Sequence, residues 1–562
     1  MHFLHWIKPC TDNSKNCIVA LFAISHYIAE CVTEEFFTTM EEKVTTSEIQ
    51  SFYIGKTVFI TGASGFMGKV LLEKLLYSCS DLDKIYVLMR VKRSCTVQSR
   101  LDDMFKLPLF QRLRNEKPNL FKKVILLTGD ICLPDLGLID QQRELLINEV
   151  NVVFNFAATL RMNSKLKDAI EMNTTGTQRV LDMAKEMKHL ESFVHLSTAF
   201  GHVDQEELGE RIYNPPVEPQ DIMRLVQCLD DESIDLITSK LIHPHPNTYT
   251  YTKCLAETLV ANEYPNIPCC IARPSIVLPS YEEPMPGWVD NLNGPIGLLV
   301  GAGKGVIRSM HCNGNYHVEF IPVDFAINTL IAISYKLTTD KKKSKSIPVI
   351  NVTQGNIKRL TWAEVLEKGR ERLYEYPFDG VIWYPDGDIR SSKCVHNLFI
   401  FFFHIIPAYL IDFLMLIFLQ KRFMVNLQNR ISNGLELLQY FTTREWKFCN
   451  DKFNKLHEEL QGADKEIFIN FHYDIDVDEY IKNIILGTRQ YCMKEDLSTL
   501  PKARRHQKIL YFVHIIAVYS FYFGILYYTY NNIGIVKIFL DYVADSLKSL
   551  PFICGLLKKL HL

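Results

Sequence analysis

Between residues 57 and 200, short apolar runs alternate with segments in which apolar residues recur at helical spacing. The runs are rich in valine, isoleucine and leucine and are bounded by glycine, polar or charged residues, which is typical of buried strands. The five predicted strands span residues 57–61, 84–90, 123–131, 150–159 and 192–200. Helical spacing follows the first of them in KVLLEKLL, residues 69–76. Strands that alternate with helices predict an α/β fold with a Rossmann-like, doubly wound parallel sheet.

A glycine-spaced turn follows the first predicted strand. Gly62, Gly65 and Gly68 stand three residues apart, directly before the helical segment. Glycines allow the backbone to approach a pyrophosphate closely, and the free N–H groups of a helix N-terminus favour negative charge. The spacing differs from the P-loop and from the Gly-x-Gly-x-x-Gly of many dehydrogenases. The turn predicts a dinucleotide site, with a purely structural turn as the alternative.

Cations follow the second predicted strand, where many NAD-binding folds carry an acidic residue. Arg90, Lys92 and Arg93 stand at this place. An acidic side chain there accepts a hydrogen bond from the ribose 2′-hydroxyl of NAD, whereas cations suit a 2′-phosphate. The cations after the second strand therefore favour NADPH as the cofactor. The alternative is that they belong to a solvated basic loop with no role in cofactor binding.

Tyr249 and Lys253 stand four residues apart in NTYTYTKCLAE, so a helix places both on one face. The nearby ammonium is expected to lower the tyrosine pKa from about 10 and so prepare the phenol for acid–base catalysis. Ser197 or Thr198, at the end of the fifth predicted strand, is expected to hydrogen bond a substrate oxygen. Tyr251 is the rival tyrosine, but no lysine stands four residues after it. A chance surface pair is the alternative reading of the spacing.

Several longer motifs carry a resemblance to a known family. Residues 62–253 resemble the extended short-chain dehydrogenase/reductase superfamily. Alcohol-forming fatty acyl-CoA reductases are similar in GWVDNLNGPIGLLVGAGKGVIR (287–308), FIPVDFAINTLI (320–331), HIIPAYLIDFL (404–414) and YFTTREWKFCN (440–450). The resemblance covers about residues 47–505. It implies that a long- or very-long-chain fatty acyl-CoA is reduced to a primary alcohol and CoA by two NADPH, through an aldehyde-level intermediate.

The resemblance also implies individual roles. Residues at the cofactor phosphates would be Gly62, Ser64, Gly65, Phe66, Met67 and Gly68, with Arg90 at the 2′-phosphate. Asp130 and Ile131 would lie beside the adenine, and Ala157 and Ala158 beside the nicotinamide. The catalytic residues would be Thr198, Tyr249 and Lys253, with Ser197 as the other hydroxyl and Asn173 supporting Lys253 through water.

Two apolar runs near the C-terminus are long enough to span a bilayer. Residues 398–419 contain Pro407 and Asp412, which predict a hairpin broken at the proline. It would lie in the membrane interface or around the fatty chain; a true span and a core helix pair are the alternatives. Residues 509–530 carry no Asp, Glu, Lys or Arg and follow a basic cluster. They predict a transmembrane helix with the catalytic domain on the cytosolic side, and a buried helix of a soluble protein is the alternative. The expected location is the membrane of the endoplasmic reticulum or the peroxisome.

Composition changes this picture little. The 562 residues carry a formal net charge of −2, so no basic field indicates nucleic acid as a partner. The 15 cysteines include no Cys-x-x-Cys pair, which predicts reduced thiols and no zinc site. Residues 17–32 predict a terminal amphipathic helix or a disordered extension. The expected domains are an extension (1–50), an NADPH-binding reductase domain (51–360), a linker or substrate segment (361–394), a C-terminal reductase-family domain (395–505) and an anchor with its tail (506–562).

Two other functions stay open from the sequence. One is a sterol or sugar-nucleotide dehydrogenase or epimerase on the same fold, which would carry an acidic residue in place of Arg90. The other is a membrane-bound scaffold with a reductase fold, which would tolerate the loss of Tyr249 or Lys253.

Overall fold

The computed structural model describes residues 46–532, apart from 93–94, 341–344, 355–358 and 469–474, and a few isolated residues beyond 532. The segment 17–32, Arg93 and most of the C-terminal tail therefore lie outside the described residues.

A seven-stranded parallel sheet forms the centre of the molecule. Its strands are β1 Thr57–Thr61, β2 Lys84–Met89, β3 Val124–Thr128, β4 Val152–Asn155, β5 Ser192–Leu196, β6 Cys269–Pro274 and β7 Val349–Val352. Across the sheet the order is β7-β6-β5-β4-β1-β2-β3. The connections change direction between β1 and β4, which is where a doubly wound sheet binds its ligand. The predicted α/β fold is confirmed.

The residues of β1 show why the sheet is buried on both faces. Val58 and Ile60 belong to one hydrophobic core, and Phe59 between them belongs to a second core. Side chains alternate along a strand, so apolar residues at every position place one core on each face. The five predicted strands are all present, four of them shorter than expected, and β6 and β7 are additional.

Helices and short strand pairs surround the sheet. The helices before residue 340 are Glu48–Tyr53, Phe66–Ser78, Val97–Phe105, Gln111–Glu116, Asp140–Glu149, Leu166–Ala169, Gly176–Glu186, Pro219–Cys228, Asp231–Leu241, Thr248–Glu263, Pro295–Gly303 and Val323–Thr339. Those after it are Trp362–Glu375, Lys393–Ile400, Ile406–Ile417, Met424–Thr442, Asp451–Glu459, Ala463–Phe468, Val477–Gly487 and Leu500–Asn532. The short pairs are Ile276–Leu278 with Phe320–Pro322, Ser309–His311 with Asp388–Arg390, and Glu207–Leu208 with Lys447–Phe448.

Hydrogen bonds join the C-terminal helices to the sheet domain. The Asp464 carboxylate accepts from the Ser47 hydroxyl at 2.5 Å and from the Glu48 N–H at 3.0 Å, at the start of helix Glu48–Tyr53. The Tyr480 hydroxyl donates to the Pro279 carbonyl at 2.7 Å. Phe453 and Tyr480 also belong to the same hydrophobic core as Val58. The C-terminal helices are therefore packed against the catalytic fold.

The apolar run at 398–419 forms a continuous helical segment, Lys393–Ile417, which we call the apolar helix. The predicted break at Pro407 is wrong. A π-helical stretch, Phe401–Ile405, precedes Pro407, and the next segment places the proline in its first turn, where its missing N–H is tolerated. The chain turns later, where the Asp412 carboxylate accepts hydrogen bonds from the N–H groups of Phe423 and Met424 at 3.0 and 2.8 Å. The hairpin is thus formed with helix Met424–Thr442.

The second apolar run lies within the long helix Leu500–Asn532, which we call the terminal helix. Its first turns contact the sheet domain: the Trp383 indole donates to His514 at 3.2 Å, and Asp386 pairs with His514 at 2.9 Å. Beyond them its large apolar side chains are exposed. Within the described residues, the apolar helix and the segment Leu497–Asn532 are each long and apolar enough to cross a membrane.

Candidate active site

A cleft of about 980 Å³ opens beside the carboxyl ends of the central strands. It collects the predicted residues from six separate places in the chain, with the exception of Asn173. Those that line it are Gly62, Ser64, Gly65, Phe66, Met67, Gly68, Arg90, Asp130, Ile131, Ala157, Ala158, Ser197, Thr198, Tyr249 and Lys253. The parallel strands explain this grouping, because their carboxyl ends all meet at one edge.

The glycine turn has no room for side chains at two of its positions. A Cβ on Gly68 would lie 2.3 Å from the Gly62 carbonyl oxygen. Gly62 has φ +75°, and a Cβ there would lie 2.8 Å from the Ala157 nitrogen. Gly65 precedes helix Phe66–Ser78 and offers no side chain to cap it. The open N–H groups of that helix and the close backbone fit a pyrophosphate, so the turn suits a dinucleotide.

Positive charge is concentrated at the same end of the cleft. Arg90, Lys92 and Arg100 line it together. The Arg90 side chain is 55% exposed, and its guanidinium lies 4.0 Å from the Asp130 carboxylate. An exposed guanidinium with one distant partner retains donors for an anion. This arrangement suits a phosphate on the adenosine ribose.

Tyr249 and Lys253 line the same cleft as the glycine turn. Their helix, Thr248–Glu263, begins where the Asn247 side chain accepts from the Thr250 N–H at 2.9 Å. The Lys253 ammonium donates to the Leu196 carbonyl at the end of β5, at 2.6 Å. Thr198, two residues further, is close enough to the Tyr249 phenol to offset part of the rise in its pKa. The predicted helical face is therefore joined to the strand end that carries Thr198.

The expected lowering of the tyrosine pKa is wrong for this structure. Burial raises the pKa of Tyr249 to about 12, and the hydrogen bond with Thr198 offsets only part of this. Burial also lowers the pKa of Lys253 to about 8, against the attraction of Glu257. The lysine is directed at the Leu196 carbonyl, and desolvation decides the protonation state of the phenol. Tyr249 is accordingly a protonated phenol at neutral pH, which is the form that donates a proton.

The side chains of Ser197 and Asn173 are both engaged in hydrogen bonds within the protein. The Ser197 hydroxyl donates to the Glu257 carboxylate at 2.5 Å. The Asn173 amide donates to the Thr252 hydroxyl at 2.9 Å and accepts from the Thr159 N–H at 2.8 Å, with the residue 1% exposed. Of the two candidate hydroxyls, Thr198 is therefore the one that contacts Tyr249, and the water bridge from Asn173 to Lys253 stays a prediction.

Comparison with known proteins adds the family. Profiles described as male sterility protein match residues 60–330 and 403–495, the first being its NAD-binding part. Fatty acyl-CoA reductase 1 of Rattus norvegicus is 37% identical over 82% of this chain and 88% of the relative. Fatty acyl-CoA reductase 2 of Bos taurus is 37% identical over 83% of this chain and 90% of the relative.

The chain belongs to the fatty acyl-CoA reductase family. Its fold also matches a solved structure, the reductase domain of a nonribosomal peptide synthetase from Mycobacterium tuberculosis. That match has a TM-score of 0.50 at 16% identity and covers 79% of this chain and 95% of the other. The NAD-binding profile covers the glycine turn from Gly62 onward, so the bound dinucleotide is a nicotinamide cofactor.

A buried ionic cluster next to Lys253 was not predicted from the sequence. The Glu257 carboxylate accepts from the Arg273 guanidinium at 2.6 and 2.9 Å and pairs with His202 at 2.8 Å. Burial would raise the pKa of Glu257, but Arg273 and His202 hold it well below its usual range. Glu257 stands four residues after Lys253, which is the signal that helical spacing offered. The cluster ties the catalytic helix to β6 and to the segment after β5.

The sequence also gave no sign of the wall opposite the catalytic tyrosine. Residues 289–298 line the cleft there, together with one face of helix Met424–Thr442. The Trp288 indole, next to this loop, stacks on Phe66 with ring centres 5.5 Å apart. The substrate wall of this family member is therefore packed directly on the helix that follows the glycine turn.

Proposed function

We propose that this chain reduces long- or very-long-chain fatty acyl-CoA to a primary fatty alcohol and CoA, with NADPH as the reductant. Family membership supports the thioester substrate. The observation that carries the proposal is one cleft lined by the glycine turn, by Tyr249 and by Thr198. The balanced reaction consumes two NADPH and two protons for each acyl-CoA.

NADPH rather than NADH is proposed because of the charges at the adenosine end. Arg90, Lys92 and Arg100 line that end, where an acidic residue would select NAD. Bound reduced nicotinamide would supply the hydride, with Ala157 and Ala158 leaving space for its flat ring. The glycine turn would hold the pyrophosphate.

Each reduction places negative charge on the oxygen of the former carbonyl group. The Tyr249 phenol and the Thr198 hydroxyl are the donors in position to stabilise that oxygen. After the first reduction, collapse of the tetrahedral hemithioacetal breaks the carbon–sulfur bond and expels CoA. After the second, Tyr249 gives its proton to the alcohol oxygen, and Lys253 fixes the helix against the end of β5.

Membrane anchoring is proposed from the two exposed apolar segments. Lys502, Arg504, Arg505 and Lys508 precede the uncharged part of the terminal helix, which favours a cytosolic catalytic domain. A membrane of the endoplasmic reticulum or peroxisome would concentrate long-chain thioesters, since each buried methylene favours lipid by about 0.8 kcal/mol.

The test is a substrate panel with the purified full chain. Octanoyl-, palmitoyl- and stearoyl-CoA are each supplied with NADPH or NADH, and UDP-glucose and a 3β-hydroxysterol are supplied with NAD⁺. We expect oxidation of NADPH with the thioesters and fatty alcohol in the lipid extract. Turnover confined to the sugar nucleotide or the sterol would replace this function by a dehydrogenase or epimerase activity.

A further inference from the structure

The cleft that Tyr249 lines is walled in part by apolar residues. Helix Met424–Thr442 contributes Ile431, Gly434, Leu435 and Leu438. Spacings of three, four and seven residues place these four on one helical face. Ile296 and Leu298 line the cleft from another segment, next to the polar Asn293. These apolar residues form a groove within the cavity that holds Tyr249 and Thr198.

The groove wall is fixed in place at both ends of the helix. The Gln428 amide donates to the Val306 carbonyl at 2.9 Å. At the other end, the Thr442 hydroxyl donates to the His311 carbonyl at 2.9 Å, and the Asn313 N–H donates to the Thr442 carbonyl at 3.0 Å. These bonds attach the helix to the chain segment around Ile307, which also lines the cleft.

Gly434 is the position without a side chain on this face, and the exposed Arg430 lies one turn before it in the cleft lining. A Cβ added there would meet no heavy atom of the described residues within 4 Å. Leu435 and Leu438 flank the gap within the cleft lining. The first carbon of a side chain at position 434 would therefore enter open space and displace no packed neighbour.

We propose that the acyl chain of the substrate lies across Gly434 and that the missing side chain sets how long a chain the enzyme accepts. This rests on the proposed function, which places the thioester carbon beside Tyr249 and Thr198. The groove is the apolar part of the same cleft, so the chain attached to that carbon is its occupant. The sequence predicted that the apolar run 398–419 lies near the acyl tail. In the structure the helix that follows it, Met424–Thr442, lines the cleft instead. Each methylene that loses its apolar contact lowers affinity about fourfold.

The test compares Gly434→Leu with Gly369→Leu. Gly369 is also a helical glycine whose added Cβ meets no described heavy atom within 4 Å, but it lies in helix Trp362–Glu375, away from the cleft lining. We expect Gly434→Leu to lower kcat/KM for stearoyl-CoA about tenfold or more, equivalent to two lost methylenes, while octanoyl-CoA changes less than about twofold. Gly369→Leu should leave both values at those of the unmodified chain.

A second variant, Gly434→Ala, is included in case leucine impairs folding. Thermal unfolding of every variant shows which of them are folded. Alanine should give a smaller loss in the same direction, even if leucine impairs folding. Equal losses for both thioesters, or an unchanged stearoyl-to-octanoyl ratio in a folded Gly434→Leu protein, would overturn the proposal. If the unmodified chain reduced no acyl-CoA at all, the proposed function would fail first, and this inference with it.

Discussion

At the level of single residues, the proposed chemistry depends on a phenol that stays protonated. Burial raises the pKa of Tyr249 to about 12, so the group is a proton donor throughout the neutral range. Tyr249→Phe removes that donor while keeping the ring. We expect turnover to fall by about 10²–10⁴-fold, measured as NADPH oxidation with palmitoyl-CoA.

Tyr251→Phe is the matched control for this substitution. Tyr251 lies on the same helix, fully buried in a separate hydrophobic cluster, and its hydroxyl has no hydrogen-bond partner among the described residues. Its loss should leave turnover unchanged. Near-normal turnover in Tyr249→Phe would refute the catalytic assignment.

In the proposed function, the preference for NADPH over NADH depends on Arg90. A charge-assisted hydrogen bond to a phosphate contributes about 1.5–3 kcal/mol, or roughly 10- to 150-fold. Arg90→Ala should therefore raise the KM for NADPH by at least about tenfold and change the KM for NADH little. Arg143→Ala, which removes an arginine paired with Glu186 outside the cleft, is the control. Equal effects of Arg90→Ala on both cofactors would contradict the 2′-phosphate contact.

At the scale of elements, the catalytic helix is joined to β6 by the Glu257–Arg273 pair. Both side chains are almost completely buried, at 2% and 0% exposed. Glu257→Gln leaves the Arg273 charge without its counterion, and breaking a buried pair in this way costs about 3–5 kcal/mol. We expect that loss in the free energy of unfolding, measured by denaturant titration. Glu186→Gln, at the exposed pair with Arg143, should cost less than about 1 kcal/mol; similar losses in both would show that the buried cluster does not stabilise the fold.

Local pattern predicted the central strands and the glycine turn because their residues carry the signal themselves. Strand β6 was not predicted because Arg273 and Pro274 interrupt its apolar run. The carboxylate that neutralises Arg273 lies on another element, so the strand's own residues do not indicate that the arginine is buried. β7 is only four residues long. The tyrosine pKa was predicted from the neighbouring lysine alone, whereas burial by the surrounding fold decides its direction. Pro407 predicted a break in the helix, but the π-helical stretch before it allows the helix to continue through the proline.

In the site, too, local motifs were predicted from the sequence and contacts between distant segments were not. Residues that belong to a local motif, from Gly62 to Lys253, were found from the sequence and line one cleft. The wall formed by helix Met424–Thr442 depends on contacts between residues 122 and 131 positions apart in the chain, which no periodicity in either segment expresses.

At the scale of the whole molecule, two apolar surfaces bear on how the enzyme meets a membrane. Truncation after Ile515 keeps the contacts of His514 and removes the exposed remainder of the terminal helix. We expect the truncated protein still to float with phosphatidylcholine vesicles, because the apolar helix exposes Leu410, Phe413 and Ile417 on one face. Changing these three to glutamate in the truncated protein should release it, while the same change in the full chain should not.

If truncation alone released the protein from the vesicles, the terminal helix would be the membrane anchor. The exposed face of the apolar helix would then make a contact within the protein. Loss of binding in the full-length triple variant would assign it to the apolar helix. A protease added outside sealed microsomes should digest the catalytic domain, and its protection would reverse the proposed topology.

The central claim is that one cleft carries out both reductions of a fatty thioester. The direct measurement is the ratio of NADPH oxidised to CoA released, with the lipid product identified by mass spectrometry, for the purified full chain and palmitoyl-CoA. We expect two NADPH per CoA and hexadecanol as the product. One NADPH per CoA with free hexadecanal as the end product, or no CoA release at all, would contradict it.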